Sequence, residues 1–115
     1  MMPRDMNAAE TIFGGVLLSH IDQAGFVEAR RQQPRRYVTV AMREVKFHEP
    51  VFVGDVVSFY CETVRIGRTS ITVKVTVTAE RYAAFGKPIK VTEAEVVFVA
   101  IDENGKPTPI LAEGA

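Results

Sequence analysis

Apolar residues recur at Leu17, Leu18, Ile21, Ala24, Gly25 and Ala29, and this spacing by threes and fours predicts one long helix over residues 14–31. With a turn of about 100° per residue and Gly14 as origin, Leu18, Ile21, Gly25 and Ala29 gather within about 60°, flanked by Leu17 and Ala24. Ser19, His20, Gln23, Arg30 and Arg31 fall opposite, on a solvated face. Asp22 breaks this division, because it projects at about 80°, inside the apolar arc. Glu28 comes close to the same arc at about 320°, but near the helix end, where a long side chain is expected to reach water. A carboxylate turned toward a core is costly unless it is paired or protonated. Asp22 therefore needs a partner, a cavity or a chemical task, and an Arg on a facing strand is the structural alternative.

The rest of the chain reads mostly with a period of two. Over residues 37–47, Val38, Val40 and Met42 keep one parity while Val45 and Phe47 take the other, which predicts a strand with a bulge near Arg43 and Glu44. His48-Glu49-Pro50 ends it, and Gly54-Asp55 makes a turn. Three further strands are expected over residues 56–65, 70–82 and 89–102, joined by short connections at 66–69 and 85–88. In the middle one, Ile71, Val73, Val75, Val77 and Ala79 face one way, and Thr72, Lys74, Thr76, Thr78 and Glu80 the other. Consecutive hairpins give an antiparallel meander whose available apolar cover is the helix, so the expected class is α+β: a sheet of four to five strands wrapped around one long central helix. Between residues 96 and 101 both parities are apolar, as in a strand buried on both faces at an oligomer interface. Residues 103–115 read as a polar tail, ordered only if it docks.

Composition narrows the function classes. A chain of 115 residues with 47% hydrophobic content is one domain with a modest core. Fourteen basic and fourteen acidic residues cancel, leaving no field to gather nucleic acid or an anionic membrane. Cys61 is the single cysteine, so no internal disulfide forms, and its place in a strand-like run suits a packed side chain in a reducing compartment. No apolar run reaches membrane-spanning length and no signal-peptide order opens the sequence, so a cytoplasmic protein is expected. His48 and His20 have no Cys or His cluster at ligand spacing, and no metal site is expected. His20 also lies about 160° around the helix from Asp22.

Two features before and at the helix start add chemistry. Gly14-Gly15 allows a backbone or a ligand to approach the first turn closely, and the free N–H groups there suit an oxygen gaining negative charge. Asn7, in the segment leading in, can donate a hydrogen bond to a carbonyl without titrating.

These residues also carry a family resemblance. Met2-Pro3, Asp5, Asn7, Ile12-Phe13-Gly14-Gly15 and Asp22, then Pro50-Val51 with Val53-Gly54-Asp55-Val56-Val57, resemble the bacterial YciA-type acyl-CoA thioesterases of the hotdog fold. The match continues through Gly67, Thr69, Ser70, Thr92-Glu93-Ala94, Val99-Ala100, Asp102 and Gly105-Lys106-Pro107, and so spans nearly the whole chain. The resemblance implies hydrolysis of an acyl-CoA thioester, with Asn7 and the Gly15 N–H polarising the carbonyl. Asp22 would act as general base or as nucleophile. It further implies that Gly14 and the turn residues Arg65, Arg68, Thr69 and Ser70 contact CoA. It calls for no separate cofactor, since CoA is part of the substrate.

It also implies a homodimer as the minimal unit, in a tetramer or hexamer, because Asp22 lies about 10 Å along its helix from the Gly15 N–H. Relatives of this type carry a further strand before the Met-Pro segment, so the first strand is expected to be missing or very short. A non-catalytic acyl-CoA-binding protein is the alternative. A hydratase or dehydratase would need a His beside its carboxylate, and the next His after Asp22 is His48.

Overall fold

The computed structural model describes residues 14–52, 54–80 and 87–111. Among them one helix, α1 (Gly14–Gln32), is followed by four strands, β1 (Arg36–Phe47), β2 (Val56–Ile66), β3 (Ser70–Glu80) and β4 (Pro88–Ile101). All pairings are antiparallel and the sheet order is β1-β4-β3-β2. The meander β2-β3-β4 is therefore closed by β1, which returns from the helix to lie against β4.

The central strands set the core. Ile71, Val73, Val75, Val77 and Ala79 of β3 are completely buried, as are Val91, Val96, Phe98 and Ala100 of β4, with Ala94 at 1% exposure. They face the apolar arc of α1, of which Leu17, Ile21 and Ala29 are buried. Gly25 is needed at the crossing, since a Cβ there would lie 3.2 Å from two ring carbons of Phe98. That ring is held from two sides, with Phe26 and Tyr37 meeting it edge-on at centroid separations of 6.3 and 6.4 Å.

β1 departs from a simple alternation in two places, between Thr39 and Ala41 and between Arg43 and Lys46. The second is the expected bulge, and Glu44 takes a φ of 55° within it. The first corrects the sequence reading that put Val38, Val40 and Met42 on one face. Val38 pairs with Val99 and is 42% exposed, Val40 is 55% exposed, and Met42 pairs with buried Val96. Thr39, opposite Phe98 and on the parity of buried Tyr37, lies on the helix side just before the slip at Val40.

The C-terminal segment supplies an element that the polar composition of the tail hid. After β4 the chain reverses at Asp102, whose carboxylate accepts the backbone N–H groups of Asn104 (2.8 Å) and Lys106 (3.0 Å), with Gly105 at a φ of 77°. It then runs back along β4 through an isolated bridge between Ile101 and Pro107 and a bond from Thr108 N–H to the Ala100 carbonyl. Ile110 is completely buried. The tail therefore docks, at least through Ile110. Among the described residues no helix is long and apolar enough to cross a membrane.

Candidate active site

The eight candidate residues fall into three groups. Asn7 lies outside the described residues. Gly14, Gly15 and Asp22 share one continuous helix, and Arg65, Arg68, Thr69 and Ser70 flank or form the β2–β3 turn.

Asp22 is in the middle of α1, half-buried, on the side facing β1. Thr39 Oγ1 donates a hydrogen bond of 2.6 Å to its Oδ1. Among the described residues no basic side chain pairs with Asp22, so the facing strand supplies a hydroxyl and not the guanidinium that a structural ion pair would use. A carboxylate held by one neutral donor keeps its remaining lone pairs available.

Glu28 is placed differently. Its side chain is only 12% exposed and does not reach out into water as its place near the helix end suggests. It accepts hydrogen bonds from Gln32 Nε2 (2.9 Å) and Thr63 Oγ1 (3.2 Å), with Arg31 at 3.7 Å one turn on. The helix thus presents two carboxylates to the sheet, one tied into a local network and one lightly held.

Gly15 lies in the first turn of the helix, and among the described residues nothing is within 4 Å of where its Cβ would be. No acidic side chain stands in that first turn to compete for its N–H groups. The helix runs unbroken from Gly14 through Asp22, so the spacing of about 10 Å between the Gly15 N–H and Asp22 holds.

The β2–β3 turn is tight. Gly67 N–H donates to the Ser70 carbonyl at 2.7 Å, and a Cβ on Gly67 would come within 3.0 Å of Ser70 Oγ. The Thr69 carbonyl accepts from Ala100 N–H (2.8 Å) and that of Arg68 from Ile110 N–H (2.9 Å). Arg65 and Arg68 are exposed, and among the described residues neither meets a carboxylate. The sheet register relates this turn to Asp22: Ser70 pairs with Val99 and Val99 with Val38, the neighbour of Thr39. The turn is thus two strand spacings, about 10 Å, across from the row that carries Asp22's partner.

The histidines are engaged elsewhere. His48 Nε2 is 2.7 Å from Glu93 Oε2, in a cluster with Lys90 (3.2 Å) and Lys74 (3.7 Å). These contacts hold the Glu93 carboxyl down at about 2, the His48 hydrogen bond contributing most. His20 stacks obliquely on Phe59 at 6.2 Å between ring centroids. Neither histidine contacts Asp22, and among the described residues no group of three or more His, Cys, Asp or Glu side chains could hold a metal ion.

Both sheet edges carry uncovered apolar side chains: Val38, Val40 and Phe47 on β1, and Val56, Tyr60, Val64 and Ile66 on β2. Thr39 and Ile110 are the functional candidates that sequence reasoning missed. The only trace of Thr39 was a hydroxyl on the parity opposite to three apolar residues. The trace of Ile110 was an aliphatic pair, Ile110-Leu111, beside Pro109 in a polar tail.

Comparison with known proteins gives a concordant result. The chain matches the model of the thioesterase superfamily over residues 9–82. It is 41% identical over 115 residues to the acyl-CoA thioester hydrolase YciA of Salmonella typhimurium, covering 98% of this chain and 86% of that protein. Among solved structures it resembles a hexameric hotdog-fold thioesterase of Campylobacter jejuni, at 48% identity and a TM-score of 0.85, covering 96% of this chain and 84% of that one. It also resembles a hexameric broad-specificity acyl-coenzyme A thioesterase solved as an aspartate-to-alanine mutant, at 39% identity and a TM-score of 0.88, over 98% and 83% of the two chains.

Proposed function

Because this chain belongs to the thioesterase superfamily and to its YciA-type, hotdog-fold acyl-CoA thioester hydrolases, we propose that it hydrolyses acyl-CoA to a free acid and CoA, with Asp22 as the reacting carboxylate. The observation that carries this reading is the state of Asp22: turned toward the sheet, half-buried, and bonded by the neutral Thr39 hydroxyl with no cation beside it among the described residues. A carboxylate so held is available to take a proton from water or to attack a carbonyl carbon. That a related thioesterase was solved with alanine in place of an aspartate supports the same emphasis.

In the first route, Asp22 removes a proton from water as the water oxygen adds to the thioester carbon. The carbonyl oxygen takes the charge and is met by Asn7 and the Gly15 N–H, donors of a kind worth about 3 to 4 kcal/mol each. Collapse expels the CoA thiolate, which takes the proton back from Asp22. In the second route the carboxylate itself attacks, the thiolate leaves, and water hydrolyses the mixed anhydride. Reacting atoms must come within about 3.5 Å, far less than the helix allows between Gly15 and Asp22 of one protomer. A two-fold pairing that brings the Gly15 turn of one protomer to Asp22 of its partner removes the difficulty. The uncovered apolar edge of β1, whose Thr39 holds Asp22, is where such a partner would find surface to bury. The hexameric assembly of the related thioesterases favours a closed ring built from such dimers.

Arg65, Arg68, Thr69 and Ser70 take the CoA end. Two guanidinium groups without carboxylate partners among the described residues, beside two hydroxyls on a tight turn, suit phosphate oxygens.

The test is thiol release from acyl-CoA by the wild-type protein and Asp22→Ala. Release by the first and not by the second, with CoA binding kept in both, is the expected result. Binding without release in either would make this a non-catalytic acyl-CoA-binding protein.

A further inference from the structure

The docked C-terminal segment touches the candidate site at one place, the turn that carries Arg68 and Thr69. Ile110 is bound at both ends of its peptide unit. Its N–H donates to the Arg68 carbonyl at 2.9 Å, and its carbonyl accepts from Arg35 Nε, in the α1–β1 connection, at 2.9 Å. Its side chain is fully buried, which fixes the point from which both bonds are made. The adjoining Thr69 carbonyl is held by Ala100 of β4, and Ala100 also binds Thr108 of the returning segment. Three parts of the chain far apart in sequence are thereby locked around one aliphatic residue: the helix exit, the β2–β3 turn and the strap. Among the described residues the bond to Ile110 is the one long-range backbone bond that Arg68 itself makes, and the exposed Arg68 side chain gets its direction from that backbone.

We propose that residues 102–111 form a positioning strap for the CoA end of the substrate, with Ile110 and Arg35 as positioning residues that hold the Arg68–Thr69 turn in its binding geometry. The proposal rests on the reading that this turn contacts CoA. Among the described residues the strap's hydrogen bonds reach neither Asp22 nor the first turn of α1, so loosening it weakens recognition of the nucleotide half and spares the chemistry at the thioester.

The experiment compares two substrates of one acyl group: the acyl-CoA, and the acyl thioester of N-acetylcysteamine, which lacks the phosphates and the nucleotide. Ile110→Ala should raise KM for acyl-CoA about tenfold with kcat changed less than about twofold, and leave both constants for the short thioester in place. Ile110→Val, which keeps most of the anchor, should return KM to within about twofold of wild type. Should Ile110→Ala not fold, Arg35→Lys gives the same reading, since it keeps the charge, loses the planar donor to the Ile110 carbonyl, and should raise KM for acyl-CoA about threefold.

An unchanged KM in folded variants overturns the strap, as does an equal loss on both substrates, which would mark a merely structural role. Arg68→Ala separates the two layers. A raised KM for acyl-CoA in Arg68→Ala beside an unchanged one in Ile110→Ala sinks the strap alone. An unchanged KM in Arg68→Ala removes the CoA reading of the turn, and the strap with it.

Discussion

Thr39 Oγ1 and Asp22 Oδ1 are joined across the helix–sheet boundary at 2.6 Å, and Thr39 is the last residue of β1 in register before the strand slips. Without that slip the hydroxyl's row along the strand would continue unbroken, and Val40 would share a face with Met42. The bond fixes one rotamer of Asp22 and leaves its other oxygen unengaged among the described residues. Thr39→Val keeps the shape and removes the donor. The expected outcome is a kcat lower by about tenfold through loss of orientation, with KM for acyl-CoA unchanged and stability lower by about 1 kcal/mol. Steady-state kinetics beside urea unfolding reads all three.

Two carboxylates on α1 face the sheet, and their surroundings assign them different tasks. Glu28 is occupied by Gln32, Thr63 and Arg31, while among the described residues Asp22 has Thr39 alone. Asp22→Asn should cut kcat by about three orders of magnitude and leave the fold intact. Glu28→Gln should cost stability with kcat within about threefold of wild type. The reverse pattern in a thiol-release assay would move the chemistry to Glu28.

What was legible in the sequence was whatever a single element's periodicity encodes. The apolar arc of α1 and the strict alternation of Ile71, Val73, Val75, Val77 and Ala79 in β3 both appear in the structure as read, because each buries one face against one neighbour. The bulge at Glu44 was visible as a change of parity. The slip at Val40 was not, since it replaces one apolar residue by another and depends on the partner strand. Docking of Ile110 was hidden for the same reason: the bonds that hold it come from Arg35 and Arg68, distant in sequence. Asp22 stood out on the helix alone, but the nature of its partner was a property of the sheet.

Gly25 allows α1 to lie on Phe98. Replacing it by alanine would improve helix propensity by about 1 kcal/mol, but the new Cβ would meet the Phe98 ring at 3.2 Å and Val75 Cγ2 at 3.7 Å. Phe98 is fully buried and bounded by Phe26 and Tyr37, so it has little room to yield. Overpacking of this kind costs about 1 to 3 kcal/mol. Gly25→Ala should therefore lower the urea midpoint, and a raised midpoint would show that the ring moves freely.

Cys61 faces the helix side of β2, and burial raises its thiol pKa, with the Glu28 charge adding to the effect. The thiolate fraction at neutral pH is correspondingly small. Iodoacetamide should alkylate Cys61 in the native protein more slowly than free glutathione. In Glu28→Gln the rate should rise, as mass spectrometry of timed samples would show.

The acid side of the stability profile follows from Glu93. Its carboxyl titrates at about 2 in the fold against an ordinary 4.5, chiefly because His48 donates a hydrogen bond to it, with Lys90 next and Lys74 adding a weaker attraction. A folded-state value below the unfolded one means that the ionised form favours folding. The contribution is complete above about pH 4.5 and is lost as pH falls through about 2, below which both states are protonated. Glu93→Gln lacks this dependence. Wild type should therefore exceed Glu93→Gln in urea midpoint by a constant margin from about pH 7 to about pH 5, and the margin should shrink through about pH 3. Because the cluster is partly open to solvent, added salt should reduce the margin as well. A difference between the two proteins that stays flat down to pH 2 would mean that the His48–Glu93 contact does not hold in solution.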